Sequence, residues 1–296
     1  MKTENRDLII SVGVVLVIVV GAYAGLVLYT GFTSPFSVVM SQSMQDDPYQ
    51  SELGSIDTGD VVITLSPEKA NIQGFIEGTQ TGFSTFGDYG SVIIYERGNN
   101  QNPVIHRAIL WLDYVGEEMQ TVTSNGETIE RMVTIWSAPS LAGYQGEWYY
   151  IDHNGNRVTG NSTNWDHITG TLGFIDITKA KKDVSVNLDR VGTESGFITM
   201  GDNIGNNYFD QTSIVDSLVS MNDIRSVPVF EIPWIGALKI LLKNDGQNLQ
   251  YVPNSLPSLV MVLGVIFGLL IIIDAIAIHR NILKIGHERS KLRNRI

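Results

Sequence analysis

A mainly β domain held between two membrane-spanning helices is the fold this sequence predicts, and three observations predict it. Two long apolar stretches, one near each end, are each long enough to cross a bilayer. Between them, short runs of β-branched and aromatic residues recur between turn signals. No amphipathic helix of ordinary length interrupts residues 31–225.

Taken in chain order, a short N-terminus (1–7) leads into Leu8–Thr30, 23 residues without a charge. At about 1.5 Å per residue a helix of that length crosses a hydrocarbon core of about 30 Å. Ala22-Tyr23-Ala24 has the small-x-small spacing of a cleavage site, but the apolar run continues past it, so the segment reads as an uncleaved anchor. Residues 257–278 form the second span, apolar except for Asp274, and are too uninterrupted for an ordinary core helix. The tail, 279–296, carries six basic residues and one acidic, which places it in the cytoplasm. Two spans then put the N-terminus on the same side, and residues 31–256 outside.

Within 31–256 the strand-like runs are Asp60–Leu65, Val92–Glu96, Val104–Val115, Met132–Ala138, Glu147–Asp152, Phe197–Met200 and Val227–Ile232. Asn154-Gly155 marks a hairpin. Residues 66–90, rich in Gly, Ser and Thr, read as a long loop, and 116–195 as an insertion on a smaller core. The segment 234–243, apolar with lysines four apart, reads as a short helix, either lying at a lipid interface or packed on the β core as a connector.

Charge and composition narrow the functions. Residues 31–256 hold 27 acidic against 12 basic side chains, which argues against nucleic acid as a partner. The chain has no cysteine, so disulfides, thiol catalysis and cysteine-ligated metals are excluded. No cofactor or metal is expected.

Three clusters carry chemistry. Ser41-Gln42-Ser43-Met44 follows the anchor closely, where a nucleophilic serine would meet membrane-tethered substrates. Of the outer histidines His106, His153 and His167, only His106 sits in a strand-like apolar run. Phe197–Asn203 combines a strand, a turn and Asp202, with Asp210 eight residues further on. Asn161-Ser162-Thr163 is a glycosylation sequon in a polar stretch.

In this order the boxes resemble signal peptidase I of the archaeal and endoplasmic-reticulum type. Ser41–Met44 is similar to its nucleophile box, Thr58–Ile63 and Gly90–Glu96 to the strands that follow, Val104-Ile105-His106-Arg107 to its base box, and Phe197–Asn203 with Asp210 to its acidic box. Ile232-Pro233-Trp234-Ile235-Gly236 is similar to its closing segment. No lysine occurs between Lys69 and Lys179, so the serine-lysine dyad of the bacterial branch has no candidate base in that box.

The resemblance implies a signal-peptidase-like β catalytic domain cleaving after small residues of the Ala-x-Ala type. It makes Ser43 the nucleophile, His106 the general base, Asp210 the orienting carboxylate and Asp202 a second, supporting acid. Ser43 N–H and the Ser41 hydroxyl would form the oxyanion hole, and Phe36, Val38, Met40 and Met44, which flank Ser43 in sequence, are candidates for the substrate pockets. Its implied partners are signal peptides of exported preproteins, membrane lipid and the secretion translocon. Gln42 stands where the family has glycine, and a position of positive φ would strain it. Two other readings use the same residues: an inactive membrane-anchored binding protein on the same scaffold, and a peptidase specialised for surface-protein precursors.

Overall fold

The computed structural model describes residues 3–47, 50–98, 101–124, 127–178, 181–242, 257–272 and 274–276. Strand accounts for 35% of the chain and helix for 28%, so the fold is mainly β. The first apolar run lies in helix α1 (Thr3–Thr30), where Val12–Thr30 is long and apolar enough to cross a membrane.

Three elements carry the start of the domain: β1 (Phe36–Val38), β2 (Val61–Leu65) and the short helix α2 (Phe75–Thr81). They are followed by β3 (Ser84–Thr85), β4 (Asp88–Tyr89) and β5 (Val92–Tyr95). Then comes β6 (Val104–Ser124), 21 residues long, whose first half pairs with β5 and whose second half pairs with β7 (Glu127–Ser137). The strand was expected to stop at Val115; it runs through Gly116 because a register shift there absorbs the glycine while Glu117–Ser124 keeps its partner.

Strands β8 (Glu147–Ile151), β9 (Arg157–Thr159), β10 (Thr171–Ile177) and β11 (Lys182–Asn187) form a separate sheet in the order β11-β10-β8-β9. The hairpin at Asn154-Gly155 joins β8 to β9. The chain returns to the first sheet as β12 (Gly196–Met200), one turn of helix α3 (Asp210–Ser213) and β13 (Ile224–Ile232). That sheet has the order β1-β2-β13-β5-β6-β12 with β7 beside β6, and every strand pair in it is antiparallel.

Helix α4 (Ala237–Leu242) buries Ala237 and Ile240 and leaves Leu238, Leu241 and Leu242 exposed. The second membrane-length helix is α5 (Pro257–Ile276). The basic tail lies outside the described residues.

The insertion is not a free appendage. Its Trp148, Phe174, Val184 and Val186 share one buried core with Ile109, Leu110 and Leu112 of β6 and with Phe209. Phe174 meets Phe209 edge to face at 6.0 Å, so the insertion packs behind the residue preceding Asp210.

Residues 66–90 correct the expected loop: they hold α2 and the β3–β4 pair. Three of its glycines, Gly74, Gly78 and Gly90, are contact points. A Cβ on Gly78 would fall 2.5 Å from the Gly90 backbone nitrogen, so the two backbones touch.

Candidate active site

Strand alternation sends His106 and Arg107 to opposite faces of β6, and both are buried. His106 Nδ1 lies 2.7 Å from Asp210 Oδ2. The same oxygen accepts the Tyr95 hydroxyl at 2.7 Å and the Thr199 hydroxyl at 2.6 Å. Burial by itself would raise the Asp210 carboxyl, but the neighbouring His106 and these hydrogen bonds outweigh it and hold the group below its ordinary value. Burial and the Asp210 charge push the Tyr95 hydroxyl up, so it stays a donor. Facing an ionised carboxylate, Nδ1 carries the imidazole proton and Nε2 keeps a lone pair.

Asp202 takes a different part from the supporting acid expected of it. Arg107 Nε donates to its two oxygens at 2.8 and 3.1 Å and Nη2 to Oδ2 at 2.5 Å. Arg107 Nη1 reaches the carbonyls of Thr85, Tyr89 and Gly90, each at 3.1 Å. Burial works against the guanidinium charge, and Asp202, together with Asp88 and Asp46, outweighs it and raises the Arg107 pKa. Because Arg107 points away from His106, a carboxylate bound to it serves the other face of the strand.

The Ser41–Met44 loop docks by its backbone. The Ser43 carbonyl accepts from Asn203 N at 3.1 Å and Asn206 Nδ2 at 3.3 Å, and the Gln42 carbonyl from Asn203 Nδ2 at 2.8 Å. Gln42 does not adopt a positive φ, so the loop closes without glycine at that position. Ser43 Oγ lies 3.3 Å from Ser41 Oγ and, among the described residues, makes no hydrogen bond to His106. What brings the two arms together is Gly201: a Cβ there would sit 2.9 Å from His106 Nε2 and closer still to the Ser43 carbonyl oxygen.

A cleft of about 830 Å³ opens over these groups, with Ser41, Ser43, His106 and Asp210 in its wall together with Phe36, Val38 and Met40. Met44 corrects the expected set. It is 1% exposed and packs with Val39, Ile56 and Val62, anchoring the loop from beneath instead of facing a substrate.

Beneath the same loop lie acids that were not expected to matter. Asp60 accepts from Trp234 N at 2.9 Å and Asp57 N at 2.8 Å. Asp57 accepts from Glu52 N at 2.7 Å and the Ser55 hydroxyl at 3.0 Å. Asp57 Oδ1 and Glu231 Oε2 are buried with no hydrogen-bond partner. Burial pushes Asp57 up to about 6 and Asp60 up to about 7, and raises Glu231 as well. Thr58, between the two aspartates, donates to Gln45, just after Ser43 and Met44, at 3.0 Å.

The other histidines lie in the insertion or beside it: His153 Nε2 is 2.9 Å from Asp189, and exposed His167 is 3.2 Å from Glu118. Asn161 is exposed, its side chain accepting from Thr163 N. Among the described residues no group of three His, Asp or Glu is placed to hold a metal. Comparison with known proteins returns no matching family, no matching curated protein and no matching solved structure.

Proposed function

We propose that this chain is a membrane-anchored serine endopeptidase of the signal peptidase I type, with a signal-peptidase-like catalytic domain outside the cytoplasm and both termini inside. What supports the reading is one juxtaposition. A buried His106–Asp210 pair stands at the wall of a cleft whose same wall carries Ser43 and Ser41.

The chemistry follows from the atoms. Ser43 Oγ attacks the carbonyl of an extended substrate as His106 Nε2 takes its proton, and Asp210 holds the Nδ1 proton and stabilises the imidazolium. The oxyanion meets the Ser43 N–H and the Ser41 hydroxyl, donors worth about 3 kcal/mol each in such sites. Imidazolium then returns a proton to the leaving amine, and water releases the acyl group by the same route reversed. Phe36, Val38 and Met40 give the cleft an apolar wall suited to small residues before the cut.

The deciding experiment is cleavage of an Ala-x-Ala precursor by the full-length protein in detergent, beside Ser43→Ala and His106→Ala. The reading expects one cut after the second alanine by wild type alone. Equal cleavage by all three, or none by wild type, removes it.

A further inference from the structure

We infer that the end of the cleft remote from Ser43 is a subsite for a carboxylate of the substrate, about four residues from the bond that is cut. The inference rests on the peptidase reading and adds a selectivity to it. Its starting point is a reversal of charge. Residues 31–256 carry 27 acidic and 12 basic side chains, yet the charged groups lining the cleft are Arg97, Arg225 and Lys239 against one acid, Asp210, which is buried against His106. An acidic domain that turns a basic lining toward one cleft attracts anions there specifically.

The pairing register gives the subsite its distance. His106 is opposite Ile93 and Val104 opposite Tyr95; two places further along, Arg97 Nε donates to the Asn102 carbonyl at 3.1 Å. On the neighbouring strand Ile224 is opposite Tyr95, which sets Arg225 beside the same end. Asn102 precedes His106 by four residues, or about 13 Å of extended chain. A substrate strand laid along the cleft covers that span in four residues.

Both arginines are available to it. Arg97 spends Nε on a carbonyl, and its only such bond among those described leaves the guanidinium nitrogens at its tip for a ligand. Arg225 pairs with Glu96 at 3.4 Å with both side chains at least half exposed, a solvated contact that an incoming carboxylate can exchange with. Guanidinium forks suit a carboxylate better than any neutral group.

The test uses full-length protein in neutral detergent and Ala-x-Ala precursors with Asp, Asn or Lys placed three, four or five residues to either side of the cut, compared by kcat/KM. Asp at the fourth position on one side should exceed Asn there about fivefold at low salt, with the gap closing as salt rises. Arg97→Gln/Arg225→Gln should erase the preference, and Arg97→Glu/Arg225→Glu should turn it toward Lys. Cleavage of the neutral precursor without any preference for Asp overturns the subsite alone. Absence of Ser43-dependent cleavage of that neutral precursor overturns the peptidase reading, and the subsite with it. If the arginine variants slow every precursor alike, and only in vesicles containing anionic lipid, the arginines serve lipid phosphate and the carboxylate subsite is wrong.

Discussion

The two arms that meet at Gly201 are built on opposite electrostatic terms. On the base arm each acid has a nitrogen side chain for a partner: Asp210 faces the His106 ring and Asp202 the Arg107 guanidinium. On the nucleophile arm Asp57, Asp60 and Glu231 are held by backbone N–H groups and a hydroxyl, and two of their oxygens have no partner. On the first arm these partners hold Asp210 below its ordinary value and Arg107 above its own. On the second, burial pushes Asp57 up to about 6 and Asp60 up to about 7, so both gain or lose a proton close to neutrality. Under the proposed reading, the base is held by partnered side chains, and the support of the Ser43 loop depends on pH.

The largest effects should fall on the reacting groups. Ser43→Ala and His106→Ala should each lower kcat by about 10⁴ or more, and the double variant little further, because the two act as a unit. Asp210→Asn should cost about as much through kcat while leaving KM nearly alone, since asparagine can reverse the imidazole tautomer. A double variant much worse than either single one would show that Ser43 and His106 do not work together, and the comparison of arms would lose its meaning.

Gly201→Ala comes next. Its methyl group would press on His106 Nε2 and the Ser43 carbonyl together, so activity should fall about 100-fold from misplacement. Thermal stability should change less than for a core truncation. Full activity in this variant would mean that the arms are not coupled through this contact.

Asp202→Asn separates the two acids of the base arm. It leaves a wholly buried Arg107 short of its charge partner, at a cost of about 3 kcal/mol. The expected signature is a lower melting temperature with an unaltered pH–rate profile. A changed profile at unchanged stability would return Asp202 to the acid–base chemistry.

Much of this was legible in the residues. Uncharged runs of bilayer length announce α1 and α5, and β-branched, aromatic-rich runs announce β2, β5, β6, β8, β12 and β13. His106, Ser43 and Asp210 stand out because a strand histidine, a juxtamembrane serine and a turn carboxylate each carry a recognisable local pattern. Asp202 and Asp210 were harder to tell apart, since both lie near the same turn; the useful signal was Arg107, which alternation sends to the face opposite His106. Tyr95 and Thr199 sit inside apolar strands and carry no formal charge to mark them. Asn203 and Asn206 act on carbonyls of a loop some 160 residues away in sequence. That contact depends on tertiary packing alone. Strands β10 and β11 were missed because Gly173 and Asp176 interrupt the first pattern, and the second is short, with only Val184 and Val186 on its buried face.

The smallest expected effect is the one that tests the nucleophile arm directly. Asp57 has a folded-state pKa of about 6 against 3.8 when unperturbed, so between those values the folded chain keeps a proton that the unfolded chain has lost. Stability therefore falls as pH rises through that window, and the full penalty is present above it. Asp57→Asn removes the titration while keeping shape: its amide oxygen can accept from Glu52 N and the Ser55 hydroxyl, and its NH₂ replaces the oxygen that has no partner. Relative to wild type, the variant should gain on the order of 1 kcal/mol at pH 8 and almost nothing near pH 4. Asp60→Asn would be a poorer probe, since both Asp60 oxygens accept backbone N–H groups and an amide could serve only one. Thermal melts of the full-length protein in detergent at the two pH values decide the matter. An equal shift at both would show that Asp57 acts through packing or hydrogen bonding, and the contrast between a base arm of partnered acids and a pH-dependent Ser43 arm would then fail on its second half.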